Sequence, residues 1–438
     1  MYTFLLMAAD FFKTGQMHWY VLFMLFILIR WVVVRVFAVR YKPWTNENKG
    51  LFTTVIIPVV DEPIDLFTRV INRILDQQPS EIIIAINGPD NPGLLQACRE
   101  LRHSSKDAEL HAKTTIKVLD TRVPSKRNAI KLGVRSSDPR SDITVLVDSD
   151  SIWTEGTLEN LLRPFSADDK IGGVTTRQKI YRHGRTLATM IAGLLEEIRA
   201  EGTMKAMSVT GKVGCLPGRT IAFRTSILRR VMNDFMTETF MGIHKEVSDD
   251  RSLTNLTLKL GYKTVLQDTS VVYTDAPERF KKFLRQQLRW AEGSQYNNIR
   301  MTLWMFKNAK LMCFIYWSDM ILPFLLISTY TNMILCFIFR MLGYSIRTIA
   351  YTEPIGLVLT LILVGAAFGL GSRNWKALLR LPPWYLLLLP VLTLVLSFVM
   401  APLRIYGLMC CADGLGWGTR VLTAEEAESE TVTEGGAP

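Results

Sequence analysis

Asp148 and Asp150 stand one residue apart at the end of the apolar run Ile-Thr-Val-Leu-Val, residues 143–147. Two carboxylates at the mouth of a strand can share one divalent cation. Mg²⁺ and Mn²⁺ take hard oxygen ligands and are often completed by substrate phosphates. The pair therefore reads as a metal–diphosphate site, the ordinary alternative being a solvated Asp-Ser-Asp turn. Lys126 and Arg127, in Ser-Lys-Arg-Asn after the turn at Val123-Pro124, place two cations where a diphosphate needs them, although a basic surface turn has the same sequence. Ser248-Asp249-Asp250-Arg251 precedes a helical pattern. One acid there can be balanced by the arginine while the other serves as a general base, and acids are also favoured at a helix start for electrostatic reasons alone. Gln286, Arg289 and Trp290 share a face of the stretch 280–290. A guanidinium there can hold a departing diphosphate, and an indole offers a flat surface to a sugar. The segment 211–224 carries three glycines and a proline around Cys215 and Gly218. It reads as a tight loop that lets backbone approach a ligand.

The elements that position these groups follow from periodicity. Apolar, β-branched runs predict strands over 54–60, 81–86, 115–119 and 143–147, and helical spacing covers 65–75. Strands alternating with helices imply an α/β domain with a mostly parallel sheet. Ligands bind such sheets beyond the carboxyl ends of the strands. Pro58 and Asp61, Asn87, and the Asp148–Asp150 pair all fall at such ends.

The chain has 438 residues, of which 49% are hydrophobic, and a formal charge of +11. The apolar excess sits at 19–39 and after residue 310. The first run is long enough to cross a bilayer of ~30 Å, and it is too long for a signal peptide and lacks a small-residue cleavage site. Three further runs, 311–339, 355–370 and 385–408, make an integral membrane protein with its α/β domain inserted between transmembrane helices. Lys and Arg gather beside these runs, at 35–42 and 373–380, as on cytoplasmic flanks. That placement accounts for the positive charge through a lipid bilayer and argues against nucleic acid as the partner. Phe280, Phe283, Leu284 and Leu288 make an apolar stripe suited to an interfacial helix, and the basic stretch 373–380 is expected to lie flat on the cytoplasmic face. The scattered cysteines make no disulfide framework. The expected division is an anchor over 1–45, a catalytic domain over 46–277, an interfacial helix region over 278–306, a channel region over 307–410 and a tail over 411–438. Three C-terminal spans would put that tail outside the cell and four would return it to the cytoplasm.

The order Asp148-Ser149-Asp150, the glycine-rich loop at Cys215, Asp249-Asp250-Arg251 and Gln286-Gln287-Leu288-Arg289-Trp290 resembles the processive family 2 glycosyltransferases. These include cellulose, chitin and hyaluronan synthases. The resemblance extends over nearly the whole chain to capsular polysaccharide synthases, through 55–63, 172–179 and 291–296. It implies an inverting GT-A domain joined to a membrane channel, in a multi-pass protein of a bacterial plasma membrane with the catalytic domain in the cytoplasm. It further implies that Asp148 and Asp150 hold Mg²⁺ or Mn²⁺ on a UDP-sugar and that Asp250 is the general base. Gln286, Arg289, Lys126 and Arg127 would contact the nucleotide or its diphosphate, with Pro58 and Asp61 near the uracil. Trp290, Cys215 and Gly218 would meet the growing polysaccharide. Trp417, Thr419 and Arg420 look like a gating motif of hyaluronan synthases, which favours a cytoplasmic tail. Asn87 departs from the pattern, since many relatives carry aspartate there, but its amide oxygen can still accept from the uracil N–H. The implied donors are UDP-glucose and UDP-glucuronate, with a hyaluronan-type pair containing UDP-N-acetylglucosamine as the alternative.

Overall fold

The computed structural model describes residues 19–88, 91–103, 114–181, 184–343 and 368–412. Strands β1 (Thr53–Val59), β2 (Glu81–Asn87), β3 (Thr115–Thr121) and β4 (Ile143–Val147) form where the apolar runs predict them. They join β5 (Ile152–Trp153), β6 (Ile171–Ile180), β7 (Thr220–Arg224) and β10 (Lys263–Thr274) in one sheet of order β3-β2-β1-β4-β7-β6-β10-β5. A separate small hairpin pairs β8 (Thr239–Phe240) with β9 (Ile243–His244).

Every ladder from β3 through β4 is parallel, as is β6 with β10. Only β7 and β5 run against their neighbours. All seven residues of β1 are buried, as expected of a strand covered on both faces. Val55, Ile57 and Val59 face one apolar core with Phe67, Ile71 and Leu161, whereas Ile56 faces the other with Ile130, Phe223 and Leu253.

Helix α1 (Trp19–Ala38) precedes the sheet. The crossovers α2 (Ile64–Leu75), α3 (Pro92–His103), α4 (Lys126–Ser136), α5 (Thr157–Ala167), α6 (Leu187–Arg199), α7 (Lys205–Val209), α8 (Thr225–Met236) and α9 (Asp249–Lys259) follow in order. Helix α10 (Phe280–Asn308) fills nearly all of the expected helix region 278–306, and α11 (Lys310–Met341) follows it. A short helix, α12 (Trp375–Leu378), leads to α13 (Tyr385–Val395), a π-helical turn at Leu396–Met400, and α14 (Ala401–Met409).

Two stretches, Lys310–Thr331 and Tyr385–Met409, are helices long and apolar enough to cross a membrane. The core of the expected run 355–370 and the tail with Trp417, Thr419 and Arg420 lie outside the described residues. The stripe on α10 is used inside the protein: Phe283 is fully buried with Ile191, Leu378, Tyr385 and Leu389. The basic stretch after residue 372 also differs from a flat surface element. Arg373 and Lys376 line a cavity, and Arg380 Nε reaches Glu201 at 2.8 Å.

Candidate active site

The chemistry-bearing residues meet because β7 lies antiparallel beside β4, with Val147 opposite Thr220. That register brings the end of the glycine-rich loop to the acid pair, and the Asp148 amide donates to the Arg219 carbonyl at 3.1 Å. Sequence reasoning took the whole of 211–224 as a loop. Only its first part is one, and Thr220–Arg224 is a central strand. A Cβ on Gly218 would lie 3.5 Å from Asp250 Cβ, 3.8 Å from Asp148 Oδ2 and 3.8 Å from Lys126 Nζ. Three chain segments far apart in sequence thus converge on one glycine. Gly214 serves the same loop: a Cβ there would come within 2.5 Å of Met312 Sδ and the Tyr316 ring, so only glycine lets the loop pack on α11.

Asp250 sits in the first turn of α9, after Ser248 in a left-handed conformation (φ 70°). That conformation is costly for a residue with a Cβ. Helix α10 packs tightly against it, since a Cβ on Gly293 would fall 2.5 Å from Ser248 Oγ. The Asp250 carboxylate accepts from the Gly218 amide at 3.2 Å and from the Arg251 amide at 2.7 Å. Cys215 Sγ lies 3.9 Å from the same carboxylate. Burial, and then the charge of Asp250, pushes the Cys215 thiol up to about 12, so it stays neutral and unreactive.

Lys126 opens α4, capped by Ser125, whose hydroxyl accepts from the Asn128 amide. Its ammonium donates to Asp148 Oδ1 at 2.5 Å. Burial alone would lower the Lys126 pKa, but Asp148, Asp249 and Asp250 hold it well above the usual lysine value. Arg127 corrects the expectation of a second nucleotide contact. One residue along a helix turns a side chain by about 100°, which carries Arg127 beneath α4 and away from the cavity. Its side chain is 1% exposed and donates to Asp249 Oδ1 at 2.9 Å, Glu238 Oε2 at 2.9 Å and the Phe235 carbonyl at 2.6 Å. Arg127, rather than Arg251, is therefore the cation that balances Asp249. Arg251 bonds Asn298 and stacks over the Tyr316 ring at 4.3 Å.

Burial and the neighbouring Asp148 charge push Asp150 up to about 6, against the pull of Arg219 and Lys126. Ser149 ties this turn to Glu62, donating to Oε1 at 2.9 Å. Burial also raises the Glu62 pKa. Glu62 belongs to the polar strand end 58–62 that the sequence marks, but neither it nor Arg219 is an expected site residue. Arg219 is signalled only by its place beside Gly218. Its guanidinium donates to Gln178 Oε1 and Glu196 Oε1, both at 2.7 Å, and lies 5.5 Å from the centre of the Trp290 ring. One arginine thus links the acid pair to the exposed indole on α10.

All of these groups open on one cavity of about 1150 Å³. Pro58, Asp61, Asn87, Lys126, Asp148, Asp150, Cys215, Gly218, Asp250, Gln286, Arg289 and Trp290 line it, and Arg127 does not. Asn87 donates from Nδ2 to the Val59 carbonyl at 3.1 Å, which fixes the amide at the strand end. The same cavity continues past Tyr316 to Arg30, Asp319, Arg373 and Arg404, between α1, α11 and the C-terminal helices. Among the described residues no group of three or more His, Cys, Asp or Glu is placed to hold a metal ion.

A sheet whose carboxyl edge carries an acid pair, a lysine and a separate aspartate around one glycine defines an α/β transferase of the nucleotide-sugar kind. Residues 51–293, more than half of the chain, match the family described as glycosyltransferase like family 2, and the chain belongs to it. It is 25% identical over 408 residues to the hyaluronan synthase of Streptococcus pyogenes serotype M1, covering 90% of this chain and 89% of that protein. It is 27% identical over 230 residues to hyaluronan synthase 3 of Gallus gallus, covering 47% of this chain and 40% of that one. In fold it resembles the mannosyltransferase PcManGT from Pyrobaculum calidifontis, whose structure holds GDP-Man and Mn²⁺. That likeness has a TM-score of 0.54 at 17% identity and covers 85% of this chain and 94% of the other. The fold is that of a GT-A glycosyltransferase with a mostly parallel sheet.

Proposed function

We propose that this chain is a processive, inverting, UDP-sugar-dependent polysaccharide synthase that exports its product along its own cavity. The observation that carries the reading is the single continuous cavity. It starts at Asp148, Asp150 and Asp250, passes Trp290, and runs on between apolar helices. Helix α1 and the two apolar stretches Lys310–Thr331 and Tyr385–Met409 would hold it in a bacterial plasma membrane, with the 46–277 domain in the cytoplasm.

Asp148 and Asp150 fit a divalent cation of the Mg²⁺ or Mn²⁺ kind. Both are hard oxygen donors in one cavity, and mutual repulsion with burial already raises Asp150. Two protein ligands leave the remaining positions to the donor diphosphate and water. When bound, the cation offsets negative charge on the departing UDP. Lys126, Gln286 and Arg289 add to that stabilisation around the diphosphate, while Pro58, Asp61 and Asn87 hold the uracil end. The acceptor hydroxyl attacks the anomeric carbon from the face opposite the diphosphate. The new C–O bond forms as the bond to UDP breaks, and the hydroxyl proton passes to the Asp250 carboxylate. The Gly218 and Arg251 amides hold that carboxylate in place. Inversion gives a β-linkage. Trp290, Cys215 and Gly218 form the acceptor floor, and the Trp417–Thr419–Arg420 motif gates the conduit.

The finer reading is a polymer of glucose and glucuronate made from UDP-glucose and UDP-glucuronate, as by the pneumococcal type 3 capsular polysaccharide synthase. It is supported by the motifs at 55–63 and 172–179. The second reading is a hyaluronan-type synthase using UDP-N-acetylglucosamine and UDP-glucuronate. It is supported by the identity to the streptococcal hyaluronan synthase over nearly the whole chain. Incubating the purified full-length protein with pairs of radiolabelled UDP-sugars and Mg²⁺ or Mn²⁺ tests both. The pair that yields long polymer names the substrates, and the absence of polymer from every pair defeats the synthase reading.

A further inference from the structure

The far half of the cavity has a charge balance that synthesis at the sheet edge does not require. Arg30 of α1 donates to Asp319 of α11 at 2.6 Å, and their side chains are 21% and 33% exposed. Arg30 Nε is buried with no hydrogen-bond partner among the described residues. Arg373 lies close by, its carbonyl accepting from Trp31 Nε1 at 3.1 Å. Burial, and then the charge of Arg30, pushes the Arg373 guanidinium below its usual pKa. No ion pair engages Arg373 among the described residues, and it lines the same space as Arg30 and Asp319. Arg404 adds another cation to that wall. The other nearby acid, Glu201, is already committed to Arg177, Lys205 and Arg380.

Arg30 and Arg373 thus line one partly desolvated space in which Arg30 is paired with Asp319 and, among the described residues, no carboxylate is paired with Arg373. Unpaired buried charge is expensive, and an incoming anion relieves it. A neutral polymer would leave the surplus uncompensated. A polymer bearing a carboxylate on alternate sugars would compensate it, and without such a site would itself lose its hydration between apolar helices at a large cost.

We propose that Arg30 and Arg373 form a carboxylate-binding station for a uronate-bearing polysaccharide, with Asp319 as the resident anion that the polymer's carboxylate displaces from Arg30. This rests on the reading of the cavity as the polymer's exit path. Displacement gives passage in both senses. The arriving carboxylate takes the Arg30 donors, and Asp319 reclaims them when the chain advances, so no step leaves the polymer trapped. Conduction needs sites that bind and also release.

The test uses the full-length protein in neutral detergent, with a hyaluronan decasaccharide and the same decasaccharide with its carboxylates reduced to alcohols as probes. The native protein is expected to bind the carboxylate form roughly tenfold more tightly, about one charge-assisted hydrogen bond's worth. The Arg30→Gln/Arg373→Gln variant should lose that preference, while Arg373→Lys retains most of it. Asp319→Asn removes the competing anion and should tighten binding of the carboxylate form several-fold, an effect that a merely structural Asp319 would not produce. Thermal unfolding of each variant identifies misfolding, and Asp319→Asn and Arg373→Lys keep the test decisive if the double variant does not fold. Equal binding of the two probes or of neither, or an unchanged preference in a folded double variant, overturns the proposal. Competition by phosphatidylglycerol equal to that of the decasaccharide would make a lipid headgroup the ligand and also overturn it. Failure of the synthase reading is separate: it appears as no polymer from any UDP-sugar pair, whatever the decasaccharides do.

Discussion

The two ends of the cavity have opposite chemistry. At the sheet edge, Asp148 and Asp250 crowd around Gly218, Asp150 lies within reach of the Arg219 charge, and Lys126 and Arg219 answer the three acids. Between α1, α11 and the C-terminal helices, Arg30 pairs with Asp319, while Arg373 and Arg404 line the same space with no ion pair among the described residues. The acidic end suits a cation and a proton transfer, whereas the basic end suits an anion in transit. A reaction site needs charge poised against charge that develops during the step. A conduit needs compensation that is adequate and reversible.

The largest effect should come from the acidic end. Asp250→Asn keeps the shape and the backbone contacts but cannot take a proton, so polymer synthesis should fall on the order of 10²–10⁴-fold. UDP affinity, measured by calorimetry with Mn²⁺ present, should hardly change, and near-normal synthesis would remove Asp250 from the base role. Asp148→Ala should abolish the Mn²⁺-dependent gain in UDP affinity, and an unchanged metal dependence would break the assignment of this end to a cation. Arg127→Met separates the cavity wall from its support. Removing the guanidinium leaves Asp249 buried without its paired cation and Glu238 with Arg300 and Ser252 only, at a cost of about 3–5 kcal/mol, which thermal unfolding should register. A variant of native stability with weakened UDP binding would return Arg127 to the nucleotide. Trp290→Ala, at the junction of the two ends, should shorten the product and slow elongation roughly twofold to tenfold with UDP affinity retained. Equal loss of both would argue against an acceptor floor. Gly218→Ala should be the mildest: its methyl would meet Asp250 Cβ at 3.5 Å, an ordinary contact. Folding should persist while the rate drops a few-fold, because the methyl occupies space beside the reacting atoms.

The contrast between Lys126 and Arg127 shows where sequence reasoning stops. Both are adjacent cations in the stretch Ser-Lys-Arg-Asn, and no pattern in the chain separates them. Only the position of α4 over Asp249, Glu238 and Phe235 sends one into the cavity and the other under it. Arg219 is a similar case. Its importance comes from β7 pairing with β4, and a glycine-rich run ending in Thr-Ile-Ala-Phe-Arg gives no sign that it will enter the middle of a sheet. The parallel strands were legible because continuous β-branched runs can be buried on both faces in only a few ways. The acid pair was legible because it ends such a run.

Local patterns along the chain specify the α/β class, the strands that lead to Asp61, Asn87 and Asp148, the apolar helices, and the residue types that could hold a cation or move a proton. These follow from local periodicity and composition, which act over a few residues. The tertiary structure alone decided that Asp250 meets Gly218, that Arg127 is a support and Arg219 a link, and that Arg30, Asp319 and Arg373 share one cavity. Those facts depend on which distant segments pack together, and packing is settled by the whole core at once rather than by any one stretch of chain.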